Sequence, residues 1–465
     1  MAEFRLSEVA RLMDGELQYF REDFTIRHYG FDSRCLADSQ ALFFALRSRR
    51  ADGHGYVQDL SGRKQTAAVV NREYSETGSD IPLIRVSDPL AAAQKFAARI
   101  RCNFSDITYI GITGSIGKTT TKEFCHQILS GKFRVFRSPS NWNNWIGLPF
   151  SLMMMEGNED YAVFELAMSS PGLGEIDRLS AILRPDIALV LNVYPVHLEY
   201  LRNLENIARA KMEIFNHQAE EGTGFINGDQ ELLVKMARRR KQKFTCFGET
   251  ARSNQVFLKE VVREPGGYAF TVDYSGSPVR YHCGLTNRIQ IDNLFAAVMV
   301  ATHQNMPPAD IQQAIGRIRS VEKRGTLGRR GGWIVIDESY NSNPRALERN
   351  LHWVADEYPE AKKAAVLGDM LELGEEENRY HLEAGRTLAS LNYDRLVVVG
   401  PRARAILEGA LAGGFDGSRA AAFEDARQAG RYLVSTLDPG EPWVILLKGS
   451  RGMKMERAVE ELLRD

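Results

Sequence analysis

The stretch Gly111-Ile112-Thr113-Gly114-Ser115-Ile116-Gly117-Lys118-Thr119-Thr120 follows an apolar, strand-like run and opens a helical one that reaches about Leu129. In such a loop glycine lets backbone N–H groups turn inward onto phosphate oxygens, and the helix N-terminus adds partial positive charge. Lys118 would then span the terminal phosphates and Thr119 would hold a magnesium ion. The full GxxxxGK(S/T) pattern is not met, because Ile112 stands where its first glycine belongs, and the shorter GxxGKT remains. Strand, glycine loop and helix in that order point to nucleotide binding through Gly114, Ser115, Gly117, Lys118, Thr119 and Thr120. An ordinary helix-capping turn is the alternative.

Other chemistry-bearing residues fall at the ends of apolar runs. Tyr161-Ala162-Val163-Phe164 runs into Glu165, and Ile187 to Leu191 runs into Asn192 and then His197. A carboxylate and an imidazole so placed can ligate magnesium or orient a substrate, or can simply be solvated. Lys211 lies on the apolar stripe of Leu204, Ile207, Ala208, Ile214 and Phe215, which repeats at helical spacing. An ammonium on a core-facing stripe must snorkel, pair with a carboxylate, lose its proton or be chemically modified. Further on, Asp337, Asp369 and Lys448 each close a strand candidate, so polar groups converge at one sheet edge.

The elements that must position these residues follow from length and pattern. At about 150 residues per domain, a chain of 465 residues predicts roughly three domains. The divisions expected are 1–106, a small α/β domain; 107–318, a parallel-sheet domain with the phosphate loop and an antiparallel edge between Phe244 and Leu285; and 319–465, a Rossmann-like domain. The fold class is therefore α/β. Lys plus Arg is 59 against 60 for Asp plus Glu, a net charge of −1, which argues against nucleic acid as a partner. With 44% hydrophobic and 26% charged residues the chain can bury real cores. The cysteines 35, 102, 125, 246 and 283 have neither disulfide-framework nor zinc spacing. No apolar run reaches the roughly 18 residues a membrane span needs, and Glu3, Arg5 and Glu8 stand where a signal peptide would be apolar. A cytoplasmic location is expected.

Over nearly its whole length the sequence resembles the Mur ligases, and within them the branch that adds D-alanyl-D-alanine to UDP-N-acetylmuramoyl-tripeptide. The likeness rests on Phe31-Asp32-Ser33-Arg34, Asp52-Gly53-His54, Thr113 to Lys122, Asn141-Trp142-Asn143-Asn144, and Ile146 to Pro149. It continues through Arg184-Pro185-Asp186, His197-Leu198-Glu199, Ile207 to Lys211, Ser339 to Pro344, Leu367 to Gly374, Lys448 to Arg451 and Met455-Glu456. GDMLELG and SYNxNP are the parts most specific to that branch.

The resemblance implies a three-domain ligase that depends on ATP and on two magnesium ions. Its first domain would hold the UDP end, its centre ATP, and its last domain the incoming amine. Lys211 is implied to be carbamylated, and Thr119, Glu165, His197 and the modified Lys211 to be metal ligands, with Lys118, Lys211, His197 and Glu165 at the catalytic centre. Asn293 would contact adenine, Arg324 a phosphate and Asp337 the ribose. Ser33, Arg34, Asn143, Asn144, Tyr340, Asn341, Asn343, Asp369, Lys448 and Ser450 would bind substrates. A monomer is expected. Departures from the family pattern are Ile289 and Gln290 in place of a His-Asn pair, Trp142 and Trp145, Ile116, and an expanded Pro171–Ile176 loop. The alternatives are a related ligase with another acceptor, such as a folylpolyglutamate synthase, or a non-catalytic nucleotide-binding subunit.

Overall fold

The computed structural model describes residues 3–19, 21–48, 51–75, 80–168 and 173–464. Three large sheets and one two-stranded sheet, Phe4–Arg5 with Thr25–Ile26, organise them in an α/β architecture of three units. Near the N-terminus, strands Glu16–Gln18, Leu83–Val86, Lys64–Asn71, Ser39–Phe44 and His28–Gly30 lie in that order, parallel except at the first edge. The central sheet has nine strands, and the C-terminal sheet six. Among the described residues no helix is long and apolar enough to cross a membrane.

The central sheet fixes where chemistry can occur. Thr108–Thr113 lies between Tyr161–Glu165 and Ile187–Val190, parallel to both. The chain first places Val135–Arg137 at the edge and Tyr161–Glu165 beside Thr108–Thr113 on one side, and then continues on the other, so the strand order reverses there. Ligand crevices in open parallel sheets form at the carboxyl ends of strands at such a reversal. Beyond Phe244–Gly248, the strands Val256–Glu264, Gly267–Tyr274 and Ser277–Cys283 form the antiparallel edge expected from the turn-rich sequence. The following helix runs Ile289–His303.

The C-terminal sheet runs Thr326–Arg330, Trp333–Glu338, Trp443–Lys448, Lys362–Gly368, Arg395–Val399 and Ala420–Phe423, parallel after the first pair. Register places Glu338 directly opposite Lys448, at the carboxyl ends of neighbouring strands.

Helix Pro89–Asn103 fastens the first unit to the second. Asp88 caps it, accepting from the N–H groups of Leu90 at 2.8 Å and Ala91 at 3.2 Å, and proline occupies its first turn. Its buried face, with Ala93, Phe96, Ala97 and Ile100, joins one continuous core with Tyr109, Leu148, Phe164 and Ile176 of the central unit. At its end the Arg101 guanidinium donates to the carbonyls of Leu183 at 2.8 Å and Arg184 at 3.0 Å, pairs with Asp186 at 3.1 Å, and lies 3.9 Å over the Tyr109 ring. Replacing Arg101 by Met would leave two carbonyls and a carboxylate without that partner. The expected loss is about 2 to 3 kcal/mol, read as a lower urea midpoint for the transition that separates the first two units.

Candidate active site

Helix Lys118–Leu129 starts at Gly117, whose φ of +83° is left-handed. A Cβ there would lie 2.1 Å from Asn293 Oδ1, so a side chain would displace Asn293 besides straining the left-handed backbone that favours glycine. Asn192 brackets the loop, accepting from Ile116 N at 2.9 Å and donating to Ile116 O at 3.1 Å. These contacts are to the backbone, which is why isoleucine is accommodated at position 116. The Ser115 hydroxyl joins Tyr194, accepting from its N–H at 2.8 Å and donating to its carbonyl at 3.1 Å. Thr121 N already bonds Gly117 O at 2.9 Å. The N–H groups of Gly117, Lys118, Thr119 and Thr120 have no acceptor among the described residues, which leaves an anion cradle at the helix N-terminus.

Lys118 bends back over this cradle, donating to Gly114 O at 2.8 Å and Ser115 O at 3.3 Å. Loss of solvent lowers its pKa, the field of Glu165 opposes that shift, and Arg324 adds to it. Thr119 Oγ1 donates to Glu165 Oε2 at 2.6 Å and accepts from Arg324 Nη2 at 3.1 Å. Asn143 Nδ2 holds the other oxygen of Glu165 at 2.9 Å. Arg324 also lies 4.0 Å over the Tyr340 ring, and its carbonyl accepts from Gln290 Nε2 at 2.6 Å. Gln290, one of the departures, thus anchors the segment carrying Arg324.

Lys211 is 1% exposed, on helix Leu204–Met212. Leu204 itself is exposed, so the buried stripe begins at Ile207. Burial drives the Lys211 pKa far down and nearby Lys118 pushes it further, against the opposing fields of Glu165, Glu175 and Glu213. It donates no hydrogen bond to a described residue. Glu213 caps the neighbouring helix Glu175–Leu183 through Gly174 N at 2.9 Å and Asp177 N at 3.1 Å, and burial raises its pKa. Of the expanded loop, Pro171 and Gly172 lie outside the described residues.

A cavity of about 680 Å³ lies between the central and C-terminal units. Ser115, Gly117, Lys118, Thr119, Thr120, Asn143, Glu165, His197 and Asn293 line it, and Arg324, Tyr340, Asn341, Asn343 and Lys448 complete it from the C-terminal side. Lys448, 3% exposed, donates to Glu338 at 3.2 Å and to Asn341 O at 3.0 Å. The donor set suits magnesium, which takes a hydroxyl and one or two carboxylates and completes its shell with phosphate oxygens and water.

Several expected residues stand elsewhere. Asp337 lies off the lining and accepts from Ser339 N at 3.0 Å, while Glu338 faces the cavity, as alternation along a strand requires of neighbours. Asn144 caps helix Gly147–Met153 through Ile146 N and Gly147 N. Asp369, its pKa raised by burial, accepts from Ala403 N at 2.7 Å, and Ser450 Oγ accepts from Leu371 N at 2.9 Å, so both brace the loop after Gly368. Gly114 and Lys211 are not among the residues that line the cavity. Ser33, bonded to Asp59 at 3.1 Å, and Arg34, paired with Asp32 at 2.8 Å, belong to the N-terminal unit. His197 reaches across the cleft, its Nδ1 against Glu372, whose carboxyl pKa this contact lowers. Glu338, Gln290 and Glu372 were not assigned roles from sequence. Alternation could have separated Glu338 from Asp337, but Glu372 meets His197 only through docking of two units.

Sequence profiles of the Mur ligase middle domain and of the Mur ligase glutamate ligase domain match residues 112–301 and 316–451. The UDP-N-acetylmuramoyl-tripeptide–D-alanyl-D-alanine ligase of Bacillus subtilis strain 168 is 30% identical over 463 residues, covering 98% of each chain. The chain belongs to the Mur ligase family. Among solved structures, MurF from Acinetobacter baumannii superposes on this Mur ligase with a TM-score of 0.88 at 26% identity, over 100% of both chains. MurF from Thermotoga maritima in complex with ADP gives 0.82 at 27% identity, over 94% of this chain and 97% of that one.

The phosphate loop of this Mur ligase yields a stability test. Gly117→Ala meets both a left-handed backbone, at about 1 to 3 kcal/mol, and the Asn293 side chain. Gly276, at φ +87°, has nothing within 4 Å of the point where a methyl group would stand, so Gly276→Ala carries only the backbone cost. Thermal unfolding should show the larger loss for Gly117→Ala; equal losses would contradict the packing of Asn293 on the loop.

Proposed function

We propose that this enzyme joins D-alanyl-D-alanine to UDP-N-acetylmuramoyl-tripeptide at the expense of ATP, in the synthesis of peptidoglycan precursors. The observation that carries the reading is the large interdomain cavity, with an anion cradle on one wall and the Lys448, Asn341 and Asn343 cluster on the other. Family membership and the identity to a ligase of that specificity support it. The enzyme would work as a monomer in the cytoplasm, where ATP is available.

In this reading the free N–H groups of residues 117–120 hold the β- and γ-phosphates, and Lys118 leaves the carbonyls of Gly114 and Ser115 to meet them. Arg324, already beside Thr119, faces the γ-phosphoryl group. Asn293 lies over the loop on the adenosine side. Thr119, Glu165, His197 and a carbamylated Lys211 would hold two magnesium ions, which supply neutralisation of the charge on the transferring phosphoryl group. Burial favours the neutral amine of Lys211 that carbon dioxide must meet; at an ordinary pKa of about 10.4 only on the order of one in a thousand would be neutral near pH 7.

The tripeptide's terminal carboxylate attacks the γ-phosphorus and ADP leaves, giving an acyl phosphate. The amine of the dipeptide then adds to the acyl carbon, and the tetrahedral intermediate releases phosphate and a proton to give the amide. Lys448, Asn341 and Asn343 present groups for the acceptor, and the walls keep water from the acyl phosphate. The N-terminal unit, residues 1–106, takes the UDP end through Ser33 and Arg34. Phe31, 5.9 Å from the Trp142 ring, continues that surface to Asn143 at the cavity.

Two measurements follow. Phosphate release from ATP with the UDP-linked tripeptide should require D-alanyl-D-alanine; turnover with single amino acids, or with a folate and glutamate, would contradict the assignment. Enzyme equilibrated with carbon-13 bicarbonate should give a carbamate carbon resonance that is missing in Lys211→Met; its absence from the parent enzyme would refute the modification.

A further inference from the structure

The loop Gly368-Asp369-Met370-Leu371-Glu372-Leu373-Gly374 is held from several sides within the C-terminal unit. Asp369 accepts from Ala403 N at 2.7 Å, Met370 N donates to His381 Nε2 at 3.0 Å, and Leu371 N donates to Ser450 Oγ at 2.9 Å. From this fixed base the loop projects Glu372 across the cleft to Nδ1 of His197. Main chain joins as well: Glu199 N donates to Glu372 O at 3.3 Å.

The junction is built on unusual backbone from both sides. His197 has φ +54° and Glu372 φ +65°, left-handed conformations that side chains rarely adopt and that persist where surroundings enforce them. Gly374, at φ +60°, sits so close that a Cβ would come 3.0 Å from Glu199 Cα. With Nδ1 engaged by Glu372, Nε2 is the ring nitrogen left for the cavity that His197 lines.

We propose that Glu372 is a positioning residue: it locks the His197 ring with Nε2 toward the metal, and does so only when the C-terminal unit is seated on the central one. This rests on the assignment of His197 as a metal ligand. A carboxylate on the far nitrogen fixes tautomer and ring orientation, as in other metal-bound histidines. Here the carboxylate comes from the unit that brings the acceptor, so seating that unit completes the metal site held by the other. Metal binding and domain closure are thereby coupled, and each strengthens the other.

The test is manganese affinity by electron paramagnetic resonance with ADP present, alongside kcat, the KM for ATP and the radius of gyration from X-ray scattering. Glu372→Ala should weaken manganese binding about 10- to 100-fold, lower kcat, enlarge the molecule with ADP bound, and leave the KM for ATP near its parent value. Glu372→Gln, which keeps an acceptor at the same reach, should recover much of the affinity. His197→Ala should match Glu372→Ala, with no further loss in the double variant. Unchanged manganese affinity in Glu372→Ala, with a loss in His197→Ala, would overturn the positioning role alone. Unchanged affinity in His197→Ala would overturn the ligand assignment and the proposal together.

Discussion

Two lysine amines stripped of water at one site set the terms for the rest of this molecule. Burial lowers the pKa of both Lys118 and Lys211, and the field of Lys118 lowers that of Lys211 further. Whatever positive charge such a pair keeps needs negative charge close by. Glu165, Glu175 and Glu213 supply part of it. The unfilled N–H groups after Gly117 and the self-bonded Lys118 show where more is to arrive, at the end of a helix whose dipole favours an anion.

The fold serves this constraint by putting strand ends together. Glu165 closes one neighbour of the phosphate-loop strand and Asn192 follows the other, so one clamps Thr119 and the other clamps Ile116. The C-terminal sheet repeats the device with Glu338 and Lys448 at matched register. Because each sheet offers only one such edge, a reaction needing both must occur between them, and Arg324 and Gln290 tie the connecting segment to the cleft.

Residues whose role depends on a local period were legible in the sequence. Lys211 could be placed on a buried helix face, even though Leu204 at the head of the stripe is exposed, because Ile207, Ala208, Ile214 and Phe215 carry the pattern without it. The strands ending at Glu165 and Lys448 were visible as apolar runs, and so were the parallel sheets they imply. Less visible was which of two adjacent polar residues faces inward: Asp337 and Glu338 differ only by strand phase, and Asn143 and Asn144 only by which one caps a helix. Least visible was the contact of His197 with Glu372, separated by 175 positions and created by docking of independently patterned units. Gln290 stood out in the sequence only as a departure from the family's His-Asn pair, whereas its side chain holds the carbonyl of Arg324.

The central claim is that the cradle around Lys118 transfers a phosphoryl group to a carboxylate before the amine takes part. Positional isotope exchange in ATP labelled with oxygen-18 at the β,γ-bridge tests this most directly, with the UDP-linked tripeptide present and the dipeptide omitted. The account predicts scrambling of the label in the parent enzyme and none in Lys118→Ala. Absence of scrambling in the parent, or scrambling that persists in Lys118→Ala, would contradict it.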